Sequence, residues 1–144
     1  MQVSQQEQYI EFGIANEHYS IPIQDVFEII KMQEITHIPN VFPYVKGVIN
    51  LRGKIVPVIS LRKLFRFPEV DYTKATRIVV VHHQEEAVGI IVDLVSKVTT
   101  FGDIQPPPER VGGVEGNFFT GIGLTNDRLV GILKLDEVLL HEKE

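Results

Sequence analysis

The sequence predicts an all-β protein with a few short helices, built as two related β-modules packed against each other. Three observations predict it. Residues 47–61 (GVINLRGKIVPVISL) align without a gap on residues 121–135 (GIGLTNDRLVGILKL), and eight of fifteen positions keep their residue class. Residues 9–30 align in the same way on 77–98, so the order hairpin, then hairpin, occurs twice. Short apolar runs are separated throughout by Gly, Pro and Asn turns, the spacing of barrels or a sandwich rather than a parallel sheet. The offsets are 74 and 68 residues, so a loop has changed length between the copies. Two copies are too few for a solenoid. Two packed β-modules leave a groove between them, and a groove is a binding feature.

Each element follows from local pattern. Tyr9, Glu11 and Gly13 alternate with Ile10, Phe12 and Ile14, a period of two. Asn16-Glu17 closes a turn into Tyr19, Ile21 and Ile23. Ile23, Val26, Phe27 and Ile30 fall at i, i+3, i+4 and i+7, which predicts a short helix there with Ile29 off the stripe and facing outward. Pro39 and Pro43 exclude a central strand from 35–44. Residues 45–50 and 55–59 form a hairpin across Leu51-Arg52-Gly53-Lys54, and Leu61 to Phe67 predict one helical turn. Pro68 to Lys74 is a connector and the candidate boundary between halves. Residues 77–82 and 87–92 form a further hairpin. Pro106-Pro107-Pro108 stiffens a surface loop leading to Gly112-Gly113. Residues 118–125 and 128–133 pair across Asn126-Asp127, a turn that favours φ > 0. Asp136 is placed to cap a last helix through Val138, Leu139 and Leu140. The whole chain reads as one domain. Residues 15–75 are expected to form mainly the first barrel and 76–135 the second, with the termini crossing between them and residues 1–7 a frayed tail.

Composition bounds the function. The chain has 144 residues, 44% hydrophobic and 23% charged, the proportions of an ordinary globular domain. A net charge of −5 with no Trp and no basic stripe gives no electrostatic reason to expect nucleic acid. Without cysteine there is neither a disulfide framework nor a thiolate site. No apolar run approaches the roughly 18 residues that span a bilayer, and the polar start MQVSQQEQ lacks the order of a signal peptide. The expected compartment is the cytoplasm.

Catalytic signatures are missing. Gly121-Ile122-Gly123 lacks a third glycine and opens no helix, so it is not a dinucleotide loop. No serine sits in a nucleophile elbow. The histidines are His18, His37, His82, His83 and His141; adjacent His82 and His83 point to opposite faces of a strand, poor geometry for one metal. No carboxylates form an evident acid/base pair. The expectation is a protein with no catalytic residue, metal or cofactor. What remains is surface. Arg52 sits in a tight turn beside Gly53, and arginine suits interfaces through its planar fork, although a solvated turn charge explains it as simply. Glu28 reads as a surface charge, and Ile29, Val41, Phe42 and Phe101 as half-buried or contact positions.

The run VFPYVKGVINLRGKIVPVISLRKLF (residues 41–65) resembles the bacterial chemotaxis coupling proteins, the CheW family, whose most recognisable feature is KGVxNLRGxIVPVxDL. Ser60 stands where that family commonly has Asp. YSIPIQDVFEII (19–30), AVGIIVDLVSKV (87–98) and FFTGIGLTNDRLVGILKLDEVL (118–139) agree with further family segments, and the resemblance covers about residues 9–140. It implies two SH3-like, five-stranded antiparallel β-barrels around a shared core. It implies a non-catalytic adaptor in the cytoplasm, reaching the membrane only through chemoreceptors. Its partners would be the helical cytoplasmic tip of a chemoreceptor, docked between the barrels, and the regulatory domain of the histidine kinase CheA. The receptor-side residues carried over by motif are Val26, Glu28, Ile29, Gly47, Arg52 and Gly53. Val26 and Ile29 would be apolar anchors. Arg52 would bond receptor carboxylates or carbonyls, or hold Glu28 in place, and the glycines would permit close approach. The kinase-side residues stay unassigned. The runner-up is the kinase's own regulatory domain, disfavoured by Met1 and the lack of ATP-binding glycine boxes. A coupling protein carrying a receiver domain finds no room before Glu144, and a small-barrel oligonucleotide binder is disfavoured by charge.

Overall fold

A computed structural model describes residues 7–39 and 41–140; His141 and all but the last residue of the expected frayed tail lie outside that range. The strands are β1 (Tyr9–Ile14), β2 (Glu17–Pro22), β3 (Val26–Lys31), β4 (Val45–Leu51), β5 (Lys54–Ser60), β6 (Arg77–His83), β7 (Glu86–Val92), β8 (Leu94–Thr99), β9 (Asp103–Gln105), β10 (Arg110–Val111), β11 (Val114–Glu115), β12 (Phe119–Leu124) and β13 (Leu129–Leu133). Two short helices are α1 (Leu61–Leu64) and α2 (Leu135–Leu140). Ser60 caps α1, its hydroxyl accepting from the Lys63 N–H at 3.2 Å, a task the family's Asp can do equally.

The strands form two SH3-like β-modules. One sheet runs β8-β1-β2-β13-β12-β9 and the other β3-β6-β7-β5-β4, with β10-β11 a small separate ribbon. Each module contains one parallel pair, β2 with β13 and β5 with β7, and one sheet has six strands, so the expected all-antiparallel, five-stranded pattern holds only in part.

The expected split into 15–75 and 76–135 is corrected by this topology. Each module combines a hairpin from one half with a hairpin from the other: β1-β2 joins β12-β13, and β6-β7 joins β4-β5. The chain crosses between modules after the first hairpin of each half. It passes from β2 to β3 through a 3₁₀ turn at Ile23–Asp25, and from β7 to β8 at Asp93. The duplication survives in the registers, with Ile132 opposite Ser20 in one sheet and Val58 opposite Gly89 in the other. The matching two-residue turns are Ala15-Asn16 and Gln84-Glu85, all four residues at positive φ. The first hairpins are thus related by one residue more than the 68 of the sequence alignment.

Val26–Lys31 is a strand and not the expected helix. Its β-branched residues fit either period, and pairing with β6 decides, with a bulge between Val26 and Glu28. Asp136 lies inside α2 rather than capping it, where its charge suits the helix N-terminus and meets His83 Nε2 at 3.2 Å.

Burial explains why the modules pack. The shared core collects Phe12, Ile14, Tyr19 and Leu133 from one sheet with Ile59, Val79, Val81 and Ile90 from the other. Phe65, Phe118 and Phe119 close around Tyr19, with ring centroids 5.3 to 6.2 Å apart. Each such side chain contributes about 1.5–3 kcal/mol when fully buried. β6 feeds two cores at once. Val79 and Val81 face the shared one, while Ile78 and Val80 enter the interior of the second module with Ile49, Leu51, Val56, Val58 and Ile91. A strand buried on both faces reads as the continuous apolar run IVVV. Phe101, a candidate contact in the sequence, is buried on Tyr9 with centroids 4.9 Å apart, beside Val130 and Ile132.

Candidate interaction site

The site is built on the β4–β5 turn. Leu51 pairs with Lys54, so the turn is the two residues Arg52 and Gly53, at φ +52° and +88°. Two successive positive φ values make the tight hairpin turn that matches strand twist. Gly53 adopts this freely; Arg52 adopts it at a cost of about 1 kcal/mol. The Asn50 Oδ1 accepts a hydrogen bond from the Gly53 N–H at 2.8 Å and braces the turn.

From that turn the Arg52 guanidinium forms a two-pronged pair with Glu28 on β3. Nη1 donates to Oε2 at 3.2 Å, and Nη2 donates to Oε1. β3 and β4 are the two edges of their sheet, so this pair brings opposite edges together across the mouth of the module. The hydrogen bonds from Arg52 hold the Glu28 carboxyl below its ordinary value, and those to Glu28 raise the guanidinium's. Side-chain exposure is 64% for Arg52 and 27% for Glu28, so the outer edge of the guanidinium stays open to a partner.

Apolar residues surround the pair in sequence, and on β3 Val26 and Ile29 occupy the face away from Glu28. Val26 and Ile29 lie opposite Val81 and Val79, whose side chains enter the shared core, so both face the inter-module side. Three residues apart, they share that face because of the bulge between them. Val26 is half-buried against the core, whereas Ile29 is 37% exposed. Phe27 is 52% exposed and stacks on His82, with centroids 4.5 Å apart. Ile55 is exposed one residue beyond Lys54.

Gly47 has a different job. It is buried at φ +143°, and a Cβ there would collide with the Thr36 carbonyl. That closeness lets Thr36 pair with Val48, exchanging N–H···O bonds of 2.8 and 2.9 Å, which fixes the 32–38 segment along β4. Of the sequence-derived residues, the structure joins Glu28 to Arg52 with Gly53 in the same turn, puts Val26 and Ile29 on the face of β3 away from Glu28, and sets Gly47 farther along β4 against Thr36. Sequence reasoning missed Asn50, Thr36, Phe27 and Ile55. Asn three residues before Gly is a turn signal that would have found the first.

Two further ion pairs stiffen the frame. Arg62 donates to Asp93 from Nε at 3.0 Å and Nη2 at 2.8 Å, and the Ala15 N–H donates to the same carboxylate at 2.9 Å. Inside the first module, fully buried Glu11 receives Arg128 Nε at 2.9 Å and Nη2 at 2.7 Å, with His18 Nδ1 at 3.2 Å. Among the described residues, no cluster of His, Asp and Glu is arranged to hold a metal ion.

Two packed β-modules, with an arginine–carboxylate pair across the mouth of one, make up the described architecture. The CheW-like domain family matches residues 8–143, and the chain belongs to that family. It is 40% identical over 134 residues to the Chemotaxis protein CheW of Helicobacter pylori, covering 92% of this chain and 81% of the relative. It is 37% identical to that of Bacillus subtilis, covering 94% and 88%. The crystal structure of scaffolding protein TtCheW from Thermoanaerobacter tengcongensis is similar with a TM-score of 0.84 and 37% identity, over 92% of this chain and 87% of that one.

Proposed function

We propose that this protein is a non-catalytic adaptor of bacterial chemotaxis, linking chemoreceptors to the histidine kinase CheA. One surface takes the helical cytoplasmic tip of a receptor; another takes the kinase's regulatory domain. The observation that carries the reading is the Arg52–Glu28 pair, held across the module mouth on the edge strand β3, with half-buried Val26 and exposed Ile29 on the opposite face of that strand. An amphipathic helix needs apolar anchors and a polar clamp, and one lying over the β3 edge would meet Ile29 on one side and Arg52 on the other. The chain has no chemistry of its own to offer; it would work by what it holds together. It would act in the cytoplasm and reach the membrane through the receptors it binds. The relatives named as chemotaxis and scaffolding proteins support the reading.

Calorimetric titration tests it. The full chain should bind a soluble chemoreceptor cytoplasmic fragment and, separately, the CheA regulatory domain, and all three should co-elute. Failure to bind a folded receptor fragment overturns the receptor half; failure to bind the kinase domain overturns the other.

A further inference from the structure

We infer that Asn50 is a positioning residue for partner binding, acting through Arg52. This rests on the receptor-docking reading of the Arg52 surface. Arg52 sits at φ +52°, a conformation a non-glycine residue leaves readily unless it is held. Its guanidinium is held from one side by Glu28. Its backbone is held from the other by Asn50, whose Oδ1 caps the N–H of Gly53 at 2.8 Å. The two restraints are independent: one fixes the end of the side chain, the other the peptide from which it springs. An arginine pre-arranged in this way gives up less freedom when a partner arrives, so the restraint appears as affinity.

The residue type matters as well as the bond. A carboxamide supplies an acceptor without charge. An aspartate at position 50 could make the same bond, but its charge would stand two residues from Arg52 and compete with Glu28 for the guanidinium. Asn50 is exposed and enters no core cluster, so packing does not explain it.

The test is a double-mutant cycle with readouts that do and do not require a partner. Asn50→Ala, Arg52→Ala and the double variant are titrated with a soluble chemoreceptor cytoplasmic fragment. Asn50→Ala should weaken binding about three- to tenfold, the scale of one hydrogen bond. In the Arg52→Ala background it should change nothing further, and Asn50→Asp should recover the turn but not full affinity. In the free protein, exchange of the Arg52 Nη–H protons that bond Glu28, followed by NMR, should quicken in Asn50→Ala and return in Asn50→Asp. Equal losses in both backgrounds, or wild-type affinity and unchanged exchange in Asn50→Ala, would overturn the inference. A wild-type chain that ignores the receptor fragment would sink the docking reading alone; the exchange measurement would still decide whether Asn50 positions Arg52.

Discussion

Arg62 and Asp93 meet through two hydrogen bonds at the point where the chain leaves one module for the other. Asp93 also accepts from the Ala15 N–H, so a single carboxylate ties α1, the β7–β8 crossover and the β1–β2 turn. Burial pushes the Asp93 carboxyl up, but the Arg62 and Ala15 hydrogen bonds and the Arg62 charge outweigh it and leave it below its ordinary value. A depressed carboxylate stabilises the fold above its unfolded pKa of about 3.9 and loses that contribution as pH falls through the lower folded value. Asp93→Asn should therefore cost about 1–3 kcal/mol at pH 7. The gap to wild type should narrow as pH falls below the unfolded value and through the lower folded one. Urea unfolding at pH 7 and across the acid range checks it, and a pH-independent gap would contradict it.

Stability and binding should part company at Arg52. Asparagine tolerates positive φ better than arginine, so Arg52→Asn should unfold at a denaturant concentration no lower than wild type. The same change removes the clamp and should cost about 2 kcal/mol of receptor binding, roughly thirtyfold in affinity. Denaturant melts and calorimetric titration of one variant settle the pair. A normal affinity would return Arg52 to the solvated turn charges.

Two glycines should differ sharply. At Gly53 a Cβ meets nothing within 4 Å, so Gly53→Ala should cost only the backbone penalty, about 1–2 kcal/mol. At Gly47 the same methyl runs into the Thr36 carbonyl as well as an unfavourable φ, so Gly47→Ala should cost more than about 3 kcal/mol and release the 32–38 segment. Unfolding midpoints and amide exchange at Thr36 and Val48 measure this. Equal costs would mean that the close approach is unimportant.

The Glu11–Arg128 pair has a built-in control. In the matching register of the other module, the strand position equivalent to Glu11 is Val80: Glu11 lies opposite Lys97 as Val80 lies opposite Glu28. Arg128→Met alone leaves a buried charge without its main partner and should cost about 3–5 kcal/mol. Adding Glu11→Met should recover most of that, since an apolar interior already works in the sister module. Denaturant unfolding of the three variants decides it; a double variant as weak as the single would show that the pair is needed for more than its own satisfaction.

Hairpins were legible because their turns are local: Arg52-Gly53 and the alternation around it announce themselves, and the strands either side of Asn126-Asp127 pair as expected, although neither residue takes the positive φ expected of it because the Thr125–Arg128 hydrogen bond closes a wider turn. Which hairpins pair was not legible. β2 and β5 carry similar apolar patterns, and nothing in either names a parallel neighbour 112 residues away or 31 away. Val26 to Ile30 was misread because four apolar residues in five fit two periods, and only contact with β6 chooses. Arg52 and Glu28 could each be named, and their pairing was one of two roles foreseen for Arg52. The bulge that aims Glu28 and the Asn50 brace belong to the folded backbone. Gly47 was expected to permit close approach; the neighbour it admits, Thr36, appears only when the 32–38 segment is laid along β4.

The crossed hairpins also describe a kind of ancestry. A polypeptide ending near residue 75 would own one hairpin of each barrel and complete neither. Two such polypeptides, exchanging arms around a twofold axis, would complete both. Joined end to end through 68–76, they become one molecule in which a dimer's symmetry survives as a fixed internal seam, free of mass action. Separate fragments 1–75 and 76–144 should be unfolded apart and assemble when mixed. The seam's two sides can then diverge, as they have here, with Glu28 and Arg52 at one mouth and Lys97 and Asp127 near the other.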